Sequence, residues 1–224
     1  GLHRSLEKQY SHAADDEPRS PSDGADSPFK GAAFGNALHA VLEHAEPADW
    51  ALASPQALRQ NALLQCRKAL QAFGYPQALA EKGAPVLAGL VFNTLHGLLP
   101  EHIRLLDLPN GGKRHELEFH LRLNHAGSDA VLALMHRHGY CLQRPHFGFQ
   151  SRLHGLLTGK IDLLYQAEGR LFILDYKSNL LPAYDPATLA EAMQDSEYDL
   201  QYLLYSVALH RWLRFRLRDG YDYA

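Results

Sequence analysis

Cysteine and long apolar runs are both scarce in this sequence. Only two cysteines, Cys66 and Cys141, occur among 224 residues, and they are far apart. This excludes a four-cysteine iron–sulfur cluster or a zinc ribbon and favours a reducing compartment, the cytoplasm. No apolar run is long enough to cross a membrane, and no secretory signal is recognisable. We therefore expect no membrane partner.

A strong charge of one sign is also missing. The formal net charge is -3, with 46% hydrophobic and 21% charged residues, which is ordinary for a globular chain. Any contact with nucleic acid must therefore come from local patches or from other chains. No G-x-x-x-x-G-K-[ST] loop occurs, so no nucleotide-driven motor is expected within this sequence.

The composition changes sharply near residue 30. Residues 1–30 are rich in Ser, Asp, Glu and Pro and are predicted to form a flexible linker, whereas residues 31–224 are predicted to form the folded part. That length suits one elaborated domain or a small domain with a helical annex. Because the chain starts at Gly1 without a methionine, we expect an excised fragment or a tag remnant.

Helical periodicity dominates the first half of the folded part. An apolar stripe, which predicts a helix, comprises Phe34, Leu38, Val41, Leu42 and Ala45. Gly35, His39 and Glu43 form a second row on this helix at i, i+4 spacing.

Two further helical regions follow. Ser54-Pro55 is a favourable helix start, and a third helix is predicted over roughly Pro76 to Leu99 with a break at Pro85.

Strand patterns appear from residue 113 onward. "KRHELEFHLRL" alternates as a half-buried strand does, and a short helix is predicted from Ser128 to about His138. "GLLTGKIDLLYQAEGRLFILDYKS" is typical of a hairpin that turns at Glu168-Gly169, and a long amphipathic helix closes the sequence. The predicted class is α/β with an N-terminal helical insertion.

The hairpin brings two acids together. If Glu168 and Gly169 are the turn, cross-strand partners have numbers that sum to 337, and Asp162 lies opposite Asp175. Their Cβ atoms are then about 5 Å apart, and two carboxylates at that distance repel by roughly 3 kcal/mol at an effective dielectric near 20. Either one acid is protonated or a cation lies between them, and carboxylate oxygens suit Mg²⁺ first and Mn²⁺ next.

Lys177 joins this pair. It is two residues beyond Asp175 and therefore points to the same face, while Tyr176 points away. An Asp-x-Lys alone is most often a surface ion pair, but the opposed Asp162 and the apolar flanks favour a hydrolytic site for phosphodiesters. The same register places Lys160 opposite Lys177, so either the strands diverge there or Lys160 turns toward solvent or phosphate.

These segments resemble a known family. "GKIDLLYQAEGRLFILDYKSNLL" and "YDLQYLLYSVALHRWLR" are similar to the C-terminal nuclease domains of the RecB family, the exodeoxyribonuclease V beta subunits, within the PD-(D/E)XK superfamily. "GAAFGNALHAVLE" is similar to the family's histidine-bearing helix. The resemblance implies a restriction-endonuclease-like core with a small mixed sheet flanked by helices. It also implies an Mg²⁺-dependent deoxyribonuclease, with Mn²⁺ as a possible substitute.

The resemblance also implies roles for particular residues. Asp162 and Asp175 match the metal-binding acids, His39 matches a histidine ligand, and the backbone carbonyl of Tyr176 is a further ligand. Lys177 matches the catalytic lysine. From the sequence alone, His39 is equally compatible with a packed polar residue.

Three further positions are supporting or DNA-contacting candidates. Gln201 and Tyr205 match a glutamine–tyrosine pair of the family, although two polar groups of a packed helix explain them equally simply. Glu116 and Glu118 share one strand face, and Glu118 is the preferred acid of the first strand.

Some features depart from the family or stay open. Ile161 replaces the proline of the superfamily's name, and the chain stops at "GYDYA", before an expected strand, so we expect a C-terminal truncation. A basic end of the last helix is either a solvated face or a phosphate contact; it comprises Arg211, Arg214, Arg216 and Arg218. His136-Arg137-His138 is interpreted as a solvated helix end rather than a metal site.

The resemblance implies partners as well. The nucleic-acid partner is DNA, in the form of single-stranded ends that a helicase delivers. The protein partners are a RecB helicase region upstream in the polypeptide and RecC-like and RecD-like subunits. The alternatives are a catalytically silent module that binds DNA or a partner subunit, and a stand-alone nuclease with another substrate. Retention of both acids and the lysine disfavours the silent module.

Overall fold

The computed structural model describes residues 28–51, 60–100, 102–147 and 152–223. The predicted linker up to residue 27 and the predicted helix start at Ser54-Pro55 lie outside the described residues. Among these residues, four α-helices precede the first strand, namely α1 (Gly31–Glu43), α2 (Pro47–Trp50), α3 (Gln60–Ala72) and α4 (Gln77–His96). None of the helices within the described ranges has the length and apolar character that a membrane crossing requires.

The rest of the described chain contains three strands and three α-helices. In chain order they are β1 (Lys113–Gly127), α5 (Ser128–Arg137), β2 (Arg152–Ala167), β3 (Arg170–Leu174), α6 (Pro186–Asp195) and α7 (Tyr198–Leu217). The strands form a three-stranded sheet in the order β1-β2-β3, and the β2–β3 pair is antiparallel. The α/β class and the N-terminal helical insertion are therefore confirmed.

The chain divides into two compact units. Among the described residues, the first unit holds 28–117 and 162–180 with the gaps given above, and the second holds 118–161 and 181–223 with its own gap. β1 and β2 each contribute residues to both units. The two units are treated separately below.

The core of the first unit is mainly helical. The predicted stripe of α1 is confirmed, since Phe34, Leu38, Val41 and Leu42 are buried. They pack in one cluster with residues of α3 and α4 and with Leu163 and other residues of the hairpin. Burying these side chains provides the hydrophobic stabilisation that fixes α1 relative to the hairpin.

Contacts with this core begin before the predicted domain boundary. Phe29 belongs to the segment predicted as linker, yet it packs against the core and its ring lies 6.1 Å from that of Phe34. A Cβ added at Gly83 of α4 would lie 2.5 Å from the Phe29 ring, so the glycine makes room for this contact.

The predicted break at Pro85 is wrong. α4 runs without interruption from Gln77 to His96 and contains Pro85. A proline inside a helix removes one backbone hydrogen bond and usually bends it. Here the flanking Ala84, Leu87 and Ala88 are all buried in the core, so tertiary packing offsets that loss.

The hairpin register is confirmed. The pairs run from Leu163 with Leu174 to Ala167 with Arg170, each with numbers that sum to 337. Glu168 and Gly169 have φ of 49° and 78°. Positive φ at both turn residues is the signature of the type I′ turn, whose twist matches that of paired strands.

The second unit has two small cores. One joins Leu121 of β1, Leu157 of β2 and Ala208 of α7. The other joins Leu132, Cys141 and Leu200. His136 lies at the end of α5, and its Nε2 is 2.9 Å from the carbonyl oxygen of Cys141 and 3.1 Å from that of Arg144. Its ring therefore holds a loop in place.

Candidate active site

The site is built where the hairpin leaves the ladder. β3 ends at Leu174, so Asp175 is the first residue beyond the paired strand. Beyond the ladder, the two segments of the hairpin stay connected through a side chain, because the backbone N–H of Tyr176 donates to Oδ2 of Asp162 at 2.7 Å. Asp162 thus fixes the backbone that carries Asp175, Tyr176 and Lys177.

His39 reaches this segment from α1. Its Nε2 lies 3.1 Å from the carbonyl oxygen of Tyr176, and its Nδ1 lies 3.4 Å from Oδ2 of Asp162. The Tyr176 ring meets the imidazole edge-on, with centroids 5.8 Å apart. The Tyr176 side chain is buried in the core of the first unit.

Three potential metal ligands converge at this point. His39, Glu116 and Asp162 each offer a ligand atom, and these atoms all lie within 4.8 Å of one another. All three side chains are half-buried. Two carboxylates and one imidazole suit a divalent ion such as Mg²⁺ or Mn²⁺, so the donor set fits the predicted metal.

Asp175 lies beside this group but is not one of the three. Its carboxylate forms an ion pair with the ammonium of Lys177. Burial raises the pKa of Asp175 and the charge of Asp162 raises it further, while Lys177 and His39 act in the opposite direction. Burial and the neighbouring Asp162 thus disfavour the ionised form of Asp175, and a cation near these acids would favour it.

The same acids act on the imidazole. Burial lowers the pKa of His39, but the hydrogen bond and charge of Asp162, together with the charge of Asp175, outweigh burial and leave the pKa raised. A cation is therefore favoured at this point, whether it is a proton on His39 or a metal ion.

The acid that β1 contributes is Glu116. Glu118 was preferred from the sequence, but it is exposed and lies in the second unit, whereas Glu116 lies in the first unit with His39 and Asp162. Glu116 has a φ of 52°, which is rare for a residue other than glycine. A left-handed residue interrupts the regular alternation of β1, so the prediction that Glu116 and Glu118 share one strand face does not apply here.

α1 approaches the segment that follows β3 closely, a contact that the sequence analysis does not predict. A Cβ added at Gly35 would lie 2.7 Å from Oγ of Ser178. Gly35 is one turn before His39, so this helix face meets the segment 176–178 at two successive turns. Only the Gly35–His39 spacing signalled this in the sequence.

The predicted glutamine–tyrosine pair lies in the second unit. The Nε2 of Gln201 donates to the hydroxyl of Tyr205 at 2.8 Å, and the Tyr205 ring packs edge-on against Phe119 with centroids 5.7 Å apart. The two side chains therefore act as one group on α7. Their supporting or DNA-contacting role stays a prediction.

Comparison with known proteins bears on this arrangement. Residues 7–219 match the PD-(D/E)XK nuclease superfamily. The chain belongs to that superfamily. The carboxylates of Asp162 and Asp175, the ammonium of Lys177 just beyond the hairpin strand and the imidazole of His39 therefore lie within a PD-(D/E)XK domain.

The chain is similar to RecB proteins of several bacteria. The domain is 40% identical over 146 residues to the RecBCD enzyme subunit RecB of Escherichia coli, which covers 62% of the domain and 12% of that protein. It is 30% identical over 240 residues to RecB of Mycolicibacterium smegmatis, covering 90% of the domain and 21% of the relative. It is 33% identical over 233 residues to RecB of Mycobacterium tuberculosis, covering 89% of the domain and 20% of the relative. This PD-(D/E)XK domain is RecB-like and spans about a fifth or less of these relatives.

Proposed function

We propose that this domain is an Mg²⁺-dependent deoxyribonuclease that hydrolyses phosphodiester bonds. The observation that carries the proposal is the convergence of His39, Glu116 and Asp162 within 4.8 Å, in the same unit as the Asp175–Lys177 ion pair. A purely structural ion pair would not require three further ligand-type side chains beside it.

The residues have separable roles in this proposal. His39, Glu116 and Asp162 hold the ion, and Asp175 and the carbonyl oxygen of Tyr176 are further oxygen donors at the same place. A bound Mg²⁺ would lower the pKa of a water molecule and offset phosphate charge.

Lys177 is the proposed catalytic cation. Asp175 holds its ammonium group, which can donate hydrogen bonds to the attacking water or to a phosphate oxygen. Hydrolysis forms a bond from the water oxygen to phosphorus and breaks the bond to the leaving nucleotide oxygen, which takes up a proton. Lys177 would stabilise the negative charge that develops during this exchange.

The wider setting follows from the relatives. Because they are RecB subunits of RecBCD enzymes, we propose that the domain works in a RecBCD-type helicase–nuclease that processes double-strand breaks for recombinational repair in the cytoplasm. The proposed partners are single-stranded DNA delivered by a RecB helicase region, and RecC-like and RecD-like subunits.

The test is cleavage of linear and circular single-stranded DNA with and without Mg²⁺. Wild type is compared with Asp175→Ala and Lys177→Ala, and Mn²⁺ binding is measured by calorimetry on the same samples. Arg104→Ala is a matched control, because Arg104 forms an exposed ion pair with Asp107 elsewhere in the first unit, with Nε 2.7 Å from Oδ2. We expect Mg²⁺-dependent cleavage in wild type and Arg104→Ala, and none in the two site variants.

Lys177→Ala is the more informative of the two. It should retain metal binding and lose cleavage, because Lys177 is not a ligand in this proposal. Equal cleavage by Lys177→Ala and wild type would contradict the proposed role of the lysine. A folded wild type that binds neither Mg²⁺ nor Mn²⁺ would contradict the proposal as a whole and favour the silent binding module.

A further inference from the structure

The C-terminal half of α7 and the residue after it expose an unusual set of side chains. We define the α7 arginine–aromatic face as Arg211, Trp212, Arg214, Phe215, Arg216 and Arg218. All six are exposed, with Trp212 exposed to 47% and Phe215 to 76%. Large aromatic side chains are usually covered in globular proteins, so their exposure beside four cations needs an explanation.

The face is ordered by helical spacing. Arg211 and Phe215, and Trp212 and Arg216, are i, i+4 pairs, so each pair lies side by side on the helix surface. Arg218 follows the end of the helix with a φ of 48°. The guanidinium of Arg216 lies over the Trp212 ring, 5.8 Å from its centroid. The face extends about 10 Å along the helix axis. These two pairs place two cationic and two aromatic groups on one side of α7, and Arg214 borders them as the i, i+3 neighbour of Arg211.

The arginines are available for a partner. Among the ion pairs of the described residues, none involves any of the four. Asp219 and Asp222 follow in the chain and offset only part of the charge. Cations near a helix C-terminus do interact favourably with the helix dipole, which accounts for Arg214 and Arg216 but not for two exposed aromatic rings.

We propose that the α7 arginine–aromatic face binds single-stranded DNA. Arginines that contact phosphates, interleaved with aromatic rings on which bases stack, are the two components of sequence-tolerant single-strand recognition. A duplex would engage the arginines but has no unstacked bases for Trp212 and Phe215. The proposal deepens the proposed nuclease function and rests on its substrate class.

Binding is measured by fluorescence anisotropy of a labelled oligothymidylate with EDTA present, so that hydrolysis plays no part. Arg214→Gln and Arg216→Gln are compared with Arg137→Gln, an exposed arginine on α5 of the same unit. Each face variant should weaken binding about fivefold near 0.1 M salt and reduce the salt slope of log K by about 0.7, while Arg137→Gln should change neither.

Stacking is tested separately at Trp212. Trp212→Ala should weaken binding about tenfold or more, and Trp212→Phe should restore most of the affinity. The oligonucleotide should also quench tryptophan emission of the wild type. Trp50, the other tryptophan, is fully buried and lies in the first unit, so the quenched signal reports Trp212.

Several outcomes would overturn the inference. One is undiminished affinity of Trp212→Ala, or equal competition by a base-free polyphosphate, which would leave only non-specific charge. Another is oligonucleotide binding that Arg137→Gln weakens as much as the face variants. A third is loss of self-association in Trp212→Ala with DNA binding unchanged, which would indicate a protein interface. A failed cleavage assay with intact, Trp212-dependent binding would instead contradict only the nuclease proposal.

Discussion

The Nε2 atom of His39 lies 3.1 Å from the carbonyl oxygen of Tyr176, a residue 137 positions later in the chain. Two proposed metal ligands are therefore in contact with each other, and the other ring nitrogen faces Asp162 at 3.4 Å. In the metal-free protein this arrangement favours an imidazolium that donates on both sides. Metal binding must displace a proton from it.

The stability that protonated His39 contributes should consequently depend on pH in a defined direction. Because its pKa in the folded protein is raised above the ordinary value of 6.5, its contribution to stability is complete below that value. The contribution is lost as pH rises through the folded pKa. Metal affinity should rise over the same interval, since only a neutral nitrogen binds the ion. NMR titration of His39 in EDTA, and calorimetry of Mn²⁺ binding across pH, measure the two effects.

His39→Asn should remove this pH dependence and weaken Mn²⁺ binding by about tenfold or more. His44→Asn is the matched control, because His44 is exposed at the C-cap of the same helix. A folded pKa of His39 at or below 6.5, or equal Mn²⁺ affinity of the two variants, would contradict the assignment of His39 as a ligand.

Asp162 should have two separable functions, as a ligand and as a hydrogen-bond acceptor. Asp162→Asn keeps an oxygen for the N–H of Tyr176 but loses the charge, so we expect loss of metal binding with the segment still held. Asp162→Ala also leaves that N–H without its acceptor. It should be less stable than Asp162→Asn by about 1–2 kcal/mol in urea unfolding with EDTA present. Equal unfolding free energies would show that the Asp162–Tyr176 bond contributes nothing to stability.

The contact between Gly35 and Ser178 predicts a non-additive pair of substitutions. Gly-to-Ala inside a helix normally stabilises by about 0.5–1 kcal/mol. In Gly35→Ala that gain should be lost, because the new Cβ would lie 2.7 Å from Oγ of Ser178. Ser178→Ala removes this oxygen, and the next atom, Cβ of residue 178, is 3.7 Å away. The double variant should therefore recover the gain.

Gly89→Ala is the matched control for this cycle, because a Cβ at Gly89 on α4 would meet nothing within 4 Å. It should stabilise equally with Ser or Ala at position 178 in urea unfolding. If Gly35→Ala stabilises as much as Gly89→Ala, a small rotation of Ser178 relieves the contact, and the glycine is not needed for the approach of α1.

The two cysteines should be inert in the native protein. Burial raises the pKa of Cys66 to about 12, and burial with the nearby charges of Asp199 and Glu197 raises that of Cys141 to about 11. The thiolate is the reactive form, so a disulfide reagent should label neither thiol until the surrounding structure opens.

Because Cys66 belongs to the first unit and Cys141 to the second, the labelling rates of Cys66→Ala and Cys141→Ala report the opening of each unit separately. The denatured protein, in which both thiols should react, is the control. Rapid labelling of either native thiol would contradict the burial described for that unit.

Much of the site was predictable because its parts are local in sequence. The turn at Glu168-Gly169 and the alternation of two short strands were enough to align Asp162 with the chain that carries Asp175 and Lys177. The register was confirmed, but the ladder ends at Leu174. Asp162 then accepts a hydrogen bond from the backbone of Tyr176, whereas the prediction places it directly opposite Asp175. Strand periodicity sets which residues face each other but not where backbone pairing stops.

The sequence by itself determined the hairpin, its register, the Asp-x-Lys spacing and the helical stripe of α1, because each depends on backbone periods of two or 3.6 residues. Tertiary structure decided which residues from distant segments join the hairpin, because backbone periodicity does not determine contacts between segments. Packing of α1 on the hairpin core brings His39 and Gly35 to residues 176–178, and the acid of β1 that lies with His39 and Asp162 is Glu116, a residue with positive φ. Both depend on contacts between segments far apart in the chain, which no local pattern specifies.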